Sequence, residues 1–340
     1  MSKFQPDFNE FLKVLKKEKP SRPVLYELFM NNEVYSYFSR KKPPIGGTDL
    51  DWQKFSIDGF HAAGYDYAMV SVSHFHFPSK RHSDVQTISL NDGFMVTDEE
   101  SFGKYPWVNP DDCDYTNLKA IGEYLPEGMK VKIMGPGGVL ENVIALTGYD
   151  NLCYLIYDEP ELVQQLFDSV GSRLLRHYEK CLEYDCVGVI MSNDDWGFKT
   201  QTMLSVEQMR KYVFPWHKKI ADLAHKNNRP VLLHSCGYAE EIMDDIIDFI
   251  GFDGKHSYED IILPVEENYK RWGDRIAILG GIDVDLLTRG TAEEIKARCN
   301  QMLDLAEEKG SYALGSGNSI PTYIPIKNYA AMIETAWDRR

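Results

Sequence analysis

The sequence predicts an α/β fold, a single (β/α)8 TIM barrel with long excursions after the first two strands. Three observations carry this. Short strand-like runs alternate with helical stretches from Arg22-Pro23 onward, which implies parallel strands joined by crossovers. There are eight such runs, and 340 residues suit eight strand–helix units. No Gly-x-Gly-x-x-Gly follows the first run, which leaves a doubly wound sheet as the runner-up.

The strand candidates are residues 24–29, 67–72, 131–134, 187–191, 231–234, 252–256, 276–279 and 312–314. Several end in Gly or a polar cluster, as strands do where they meet turns. Between them, Ser205-Val206-Glu207-Gln208 and Thr291-Ala292-Glu293-Glu294 are capping boxes that open helices. Met209, Tyr212, Val213, Trp216, Ile220 and Leu223 then mark one buried helical face. Leu162, Leu166, Val170, Leu174, Tyr178 and Leu182 mark another. Two stretches exceed what a barrel needs. Residues 31–60 carry the breakers Lys42-Pro43-Pro44-Ile45-Gly46-Gly47, and residues 77–127 are rich in Asp, Gly and aromatics. Residues 1–340 are expected to form one domain, with residues 1–22 a helical extension within it whose Lys13–Lys19 cluster faces solvent.

Composition excludes several classes of function. A net charge of -15 repels phosphates, so nucleic acid and anionic membrane are not expected partners. No apolar run reaches the roughly 18–20 residues that cross a bilayer. Met1-Ser2-Lys3-Phe4-Gln5-Pro6-Asp7 has no signal-peptide core, so a cytoplasmic location is expected. The six cysteines form no short regular framework and are expected to be reduced. Cys236 alone sits where chemistry is expected.

In a barrel of this kind the chemistry gathers at the C-terminal strand ends. Those ends carry Glu27; Ser73, His74 and His76; a Gly135-Pro136-Gly137-Gly138 turn with Glu141; Asn193, Asp194 and Asp195; His234 and Cys236; His256; Asp283; and Ser316 with Asn318. Taken alone, each has a bland reading. Asp194, Asp195 and Asp283 are of the type that caps helices, and the glycine turn suits close backbone approach better than a phosphate. His234 and Cys236, at i and i+2 of an extended strand, emerge on the same side and can form half of a tetrahedral zinc site. Alone, that pair would read as a core histidine beside an inert thiol. Imidazoles and carboxylates converging on one mouth suggest metal or acid–base chemistry. Trp196, Tyr238 and Phe75 beside them suit a pocket for a flat or apolar ligand, though aromatic residues at such places also serve as packing.

Ser192-Asn193-Asp194-Asp195-Trp196-Gly197, the helix through Pro215 and His234-Ser235-Cys236-Gly237 resemble the uroporphyrinogen decarboxylase superfamily. Further matching stretches are Gly135-Pro136 to Asp158-Glu159-Pro160, Gly280-Gly281-Ile282-Asp283, Gly290 to Glu294 and Gly315-Ser316-Gly317-Asn318. The resemblance runs from about residue 130 to the C-terminus and is closest to the cobalamin-linked methyltransferase branch. The early segment Ser21-Arg22-Pro23-Val24-Leu25-Tyr26-Glu27-Leu28-Phe29 lacks the arginine run of the true decarboxylases.

The resemblance implies zinc held by His234 and Cys236, a corrinoid on a separate partner protein, a small-molecule substrate and a homodimer. The branch's late cysteine is replaced by Ser316, so the third ligand falls to Glu141, Asp195 or His256. Asp194, Asp195 and His256 are the candidates for catalysis. His74, His76, Glu141, Trp196, Tyr238, Ser316 and Asn318 are the candidates for substrate contact. The expected activity is metal-assisted methyl transfer between a small substrate, or a thiol or pterin acceptor, and the corrinoid protein. Its competitors are a metal-free decarboxylase or lyase using His/Asp acid–base chemistry, and a non-catalytic ligand-binding barrel.

Overall fold

Among the described residues, seven parallel strands pair in the order in which they occur in the chain. They are β1 (Tyr67–Val70), β2 (Lys130–Met134), β3 (Val187–Asn193), β4 (Val231–His234), β5 (Gly254–His256), β6 (Ala277–Leu279) and β7 (Tyr312–Ala313). The computed structural model describes residues 4–79 and 89–340. Strands β3 to β7 are buried at every position, as expected of a parallel sheet with crossover helices on its outer face and its own side chains packed within the curl.

The first predicted strand, residues 24–29, does not form a ladder. It runs parallel beside β7 through a single bridge between Leu25 and Leu314. Tyr26 N donates to Leu314 O at 2.8 Å and Leu314 N to Val24 O at 2.8 Å. On its other flank, side chains replace the ladder. The Tyr67 hydroxyl donates to Glu27 O and accepts from Glu27 N, both at 2.7 Å. Lys132 Nζ donates to Glu27 O at 2.7 Å and Leu28 O at 3.2 Å. The sheet therefore curls until its two ends face one another across this segment.

The excursion expected over residues 31–60 is mostly helical. Asn32–Ser39 and Asp49–Ala63 are helices, and the Pro43-Pro44 breakers lie in the loop between them. Thr48 and Asp51 form a capping box, and the second helix is the crossover into β1. Residues 77–127 contain the helices Glu99–Lys104 and Asn117–Tyr124, with residues 80–88 outside the described part. The helix Phe8–Leu15, capped by Asp7, closes the N-terminal end of the strands. Its Phe11 ring lies 5.1 Å from that of Tyr67, and Gly188 on β3 leaves room for Phe8.

Both predicted helical faces are buried except at their last positions, Leu182 and Leu223, which are half-buried. Leu162, Leu166, Val170, Leu174 and Tyr178 line the inner side of Pro160–Leu182, where Gly171 lets the Trp216 ring lie against the helix. Ser205 and Gln208 form the expected capping box. The chain then widens to a π turn over Met209–Val213, in which Phe214 N reaches Met209 O. The helix resumes at Phe214–Lys226 with Pro215 in its first turn, where its missing N–H leaves no bond unmade. Among the described residues no helix is long and apolar enough to cross a membrane.

Candidate metal centre

Register places the chemistry. Asn193 pairs with His234 across β3 and β4, and His234 with His256 across β4 and β5. The residues just beyond these ends form one cluster. Ligand atoms of Asp195, His234 and Cys236 all lie within 4.8 Å of one another. His234 Nε2 is 3.6 Å from Cys236 Sγ. Asp195 Oδ1 accepts from Cys236 N at 2.8 Å, and Asn318 Nδ2 lies 3.3 Å from Cys236 Sγ. Gly237, at φ +82°, turns the chain behind the thiol and passes so close to Gly197 that a Cβ on either residue would strike the other segment.

Burial sets the electrostatics. It pushes His234 down to about 3, assisted by the charges of Lys255 and Lys132, so the imidazole is a neutral base with a lone pair to offer. Burial, then the neighbouring Asp195 charge, pushes the Cys236 thiol up. A thiolate there needs a cation to stabilise it. Behind the pair, His234 Nδ1 is 2.9 Å from His256 Nδ1, and His256 Nε2 is 3.0 Å from Ser316 O. The Ser316 hydroxyl donates to Glu27 Oε1 at 2.7 Å, so it faces the fully buried Glu27 carboxyl. Burial raises that carboxyl to about 7 against the opposing pull of the Ser316 hydrogen bonds. Burial likewise lowers the Lys132 amine to about 7.

Asp194 is placed differently from Asp195. Its two oxygens accept from Leu140 N and Glu141 N, each at 2.8 Å, and His217 Nε2 lies 2.9 Å from Oδ2. It thus supplies the anion at the start of the helix Val139–Thr147, the helix that follows the glycine turn. Gly138 permits this, since a Cβ there would collide with Asp194. That is the close-approach reading of the turn, and the position a phosphate would take is filled by the protein's own carboxylate.

Glu141 Oε2 accepts from Gly138 N at 2.7 Å and Asn193 Nδ2 at 3.1 Å. Burial, then the charges of Asp194 and Asp195, pushes it up to about 8. Trp196 is fully buried against Phe214 and His217, so its ring fills the core rather than a pocket. Tyr238 is half-buried, its N–H held by Phe198 O. His74 and His76 are not brought to the cluster: His74 is 84% exposed beside Asp49 of the crossover helix, and His76 is exposed with Nδ1 on His74 O. Both sit on a loop whose polar residues face solvent. Asp283 caps the helix Val284–Arg289.

Among the buried polar residues that escaped the sequence reading are His217, Lys132 and Lys255. His217 shares the helical face of Val213 and Ile220, and its spacing made it legible as an inward group. Lys132 sits inside an apolar strand run, which is itself a signal, whereas Lys255 is buried within the polar run Asp253-Gly254-Lys255-His256, which gives none. Lys255 Nζ donates to Ser257 O at 2.8 Å and lies 4.5 Å from the centroid of the Tyr258 ring.

The model of the uroporphyrinogen decarboxylase (URO-D) family matches residues 128–338. The chain belongs to this family. The match covers β2 to β7 and every residue of the cluster. No curated protein matches. Among solved structures, a methyltransferase from Methanosarcina mazei is similar at 16% identity and a TM-score of 0.70, covering 97% of each chain. That likeness in fold takes in the N-terminal part, which the family match leaves out. A Listeria monocytogenes chain assigned to vitamin-B12 independent methionine synthase covers 94% of this chain and 99% of that one, at 12% identity and a TM-score of 0.49.

Proposed function

We propose that this URO-D family member is a metal-assisted methyltransferase, moving a methyl group between a small substrate, or a thiol or pterin acceptor, and a separate corrinoid protein. The observation that carries the reading is the thiol, imidazole and carboxylate of Cys236, His234 and Asp195 gathered within 4.8 Å. Three protein donors of these types with a fourth position open are the pattern of a catalytic zinc site. Asp195 takes the place for which the family branch uses its late cysteine, while Ser316 turns to Glu27. Bound there, zinc would supply Lewis acidity that holds a coordinated thiol as thiolate near neutral pH.

The chain's own residues do the rest. Asp195 fixes the Cys236 backbone through its N–H, and Asn318 holds an amide N–H toward the sulfur. Glu141, kept protonated by burial, can hold a proton beside Asp194 and Asp195. The fold similarity to a methyltransferase supports the reading, which extends to a single closed (β/α)8 barrel, a homodimer and a cytoplasmic location. The acid–base alternative requires a protonated His234 or His256, and burial opposes both.

The test is metal content by elemental mass spectrometry on protein purified without chelators, beside His234→Ala and Cys236→Ser. About one zinc per chain, absent from both variants while their circular dichroism is unchanged, is the expected result. Wild-type protein that stays metal-free after zinc is added back ends the proposal. Exchange of methyl groups with methylcobalamin then tests the reaction itself.

A further inference from the structure

The three groups behind Cys236 admit only one arrangement of protons. A backbone carbonyl can only accept a hydrogen bond, so at His256 the ring nitrogen that meets Ser316 O carries the proton. The carbonyl is itself held, since Gly281 N donates to it at 2.9 Å. The His256 ring is 0% exposed and His234 7%, and no carboxylate is hydrogen-bonded to either ring among the described residues. Without such a bond a buried positive charge would go uncompensated, so both rings are neutral and each carries one proton. With its proton on Nε2, His256 has a bare Nδ1. The 2.9 Å contact between the two Nδ1 atoms then requires His234 to donate. What remains on His234 is the lone pair of Nε2, the atom 3.6 Å from Cys236 Sγ.

The ring of His256 is clamped for this task. Tyr26 packs on one side with ring centroids 4.9 Å apart. On another, Gly280 at φ +72° leaves the space that a side chain would take, since a Cβ there would stand 3.0 Å from His256 Cδ2 and Nε2. Ser316, standing where the family branch has a cysteine, contributes its carbonyl here and its hydroxyl to Glu27.

We propose that His256 is a positioning residue: it takes the Nδ1–H of His234 and so fixes the tautomer whose Nε2 lone pair faces Cys236 and Asp195. This rests on the metal-centre reading above, in which a ligating imidazole is oriented by the bond its other nitrogen makes.

Two measurements keep the proposals apart. The first is two-bond 15N–1H correlation NMR on metal-free, 15N-histidine-labelled protein. His234 protonated on Nδ1 in the wild type, and shifted toward the Nε2–H form in His256→Phe, is the expected result. The second is zinc affinity by competition with a chromophoric chelator. His256→Phe should weaken zinc binding by about 10–100-fold. His256→Asn, whose side-chain carbonyl can accept from His234 Nδ1, should recover most of that loss. His234 carrying its proton on Nε2 in the wild type overturns the proposal. So does a folded His256→Phe protein with both tautomer and zinc affinity unchanged. Zinc that fails to bind the wild type overturns the metal reading, and the tautomer in metal-free protein still decides the role of His256.

Discussion

Two adjacent carboxylates show how the local partner decides a residue's task. Asp194 holds two backbone N–H groups and His217, all at 2.8–2.9 Å and with no exposure. Asp195 accepts from Cys236 N and has an oxygen within reach of His234 and Cys236. Asp194→Asn is therefore expected to cost about 2–4 kcal/mol of stability, through a lost helix-end charge and a weakened buried hydrogen bond. Zinc affinity of the folded fraction should stay within a few-fold. Asp195→Asn should do the reverse, with urea midpoints near wild type and zinc affinity down at least tenfold. Urea melts and chelator competition on both variants check this, and equal effects from the two would sink the division of labour. The sequence exposed His234 and Cys236 through their i, i+2 spacing on a strand. It could not assign Asp194, because the helix it caps begins some fifty residues earlier and only the fold brings the two together.

At the scale of elements, the seam between residues 24–28 and β1 is closed by side chains instead of a ladder. A strand pattern in the sequence reports burial, and burial was right here: Val24, Leu25, Tyr26 and Leu28 are all in the core. Apolar patterning carries no record of which donor meets each carbonyl, so the missing ladder was not legible. Lys132→Met keeps the volume but removes the donor to Glu27 O and Leu28 O. It should destabilise by about 1–3 kcal/mol, read from urea unfolding, and an unchanged midpoint would mean the ammonium does not bridge the seam.

The long helix Pro160–Leu182 adds a pH dependence. His177 is buried in contact with Tyr115 and is pushed down to about 4. The unfolded chain takes up this proton below about 6.5, while the folded chain resists it until about 4. This stabilisation is thus complete above about 6.5 and is lost as the pH falls to 4, by about 3 kcal/mol. His177→Gln should flatten that part of the stability–pH curve. A curve unchanged by the substitution would assign the acid sensitivity elsewhere.

On the scale of the whole molecule, the segment around Tyr26 and the one that follows β7 meet at Gly315, where a Cβ would run into the carbonyl of Tyr26. Gly315→Ala should destabilise the entire fold by more than about 3 kcal/mol, seen as one cooperative shift in thermal unfolding. Two separate transitions would instead show that the two segments close independently. The order of the strands and most of their limits were legible because each strand-like run is short and bounded. The relay from Glu27 and Ser316 to His256 was not, since those first two residues lie 289 positions apart. That separation has a kinetic consequence. Asp195, His234 and Cys236 come from neighbouring strands of one stretch of chain, whereas the carbonyl that orients His256 arrives with the last strand. Contacts this distant in sequence close late, after the loop entropy between them has been overcome. During refolding, weak zinc capture should therefore precede tight capture. A nascent chain would hold the three donors before it holds the group that aims them.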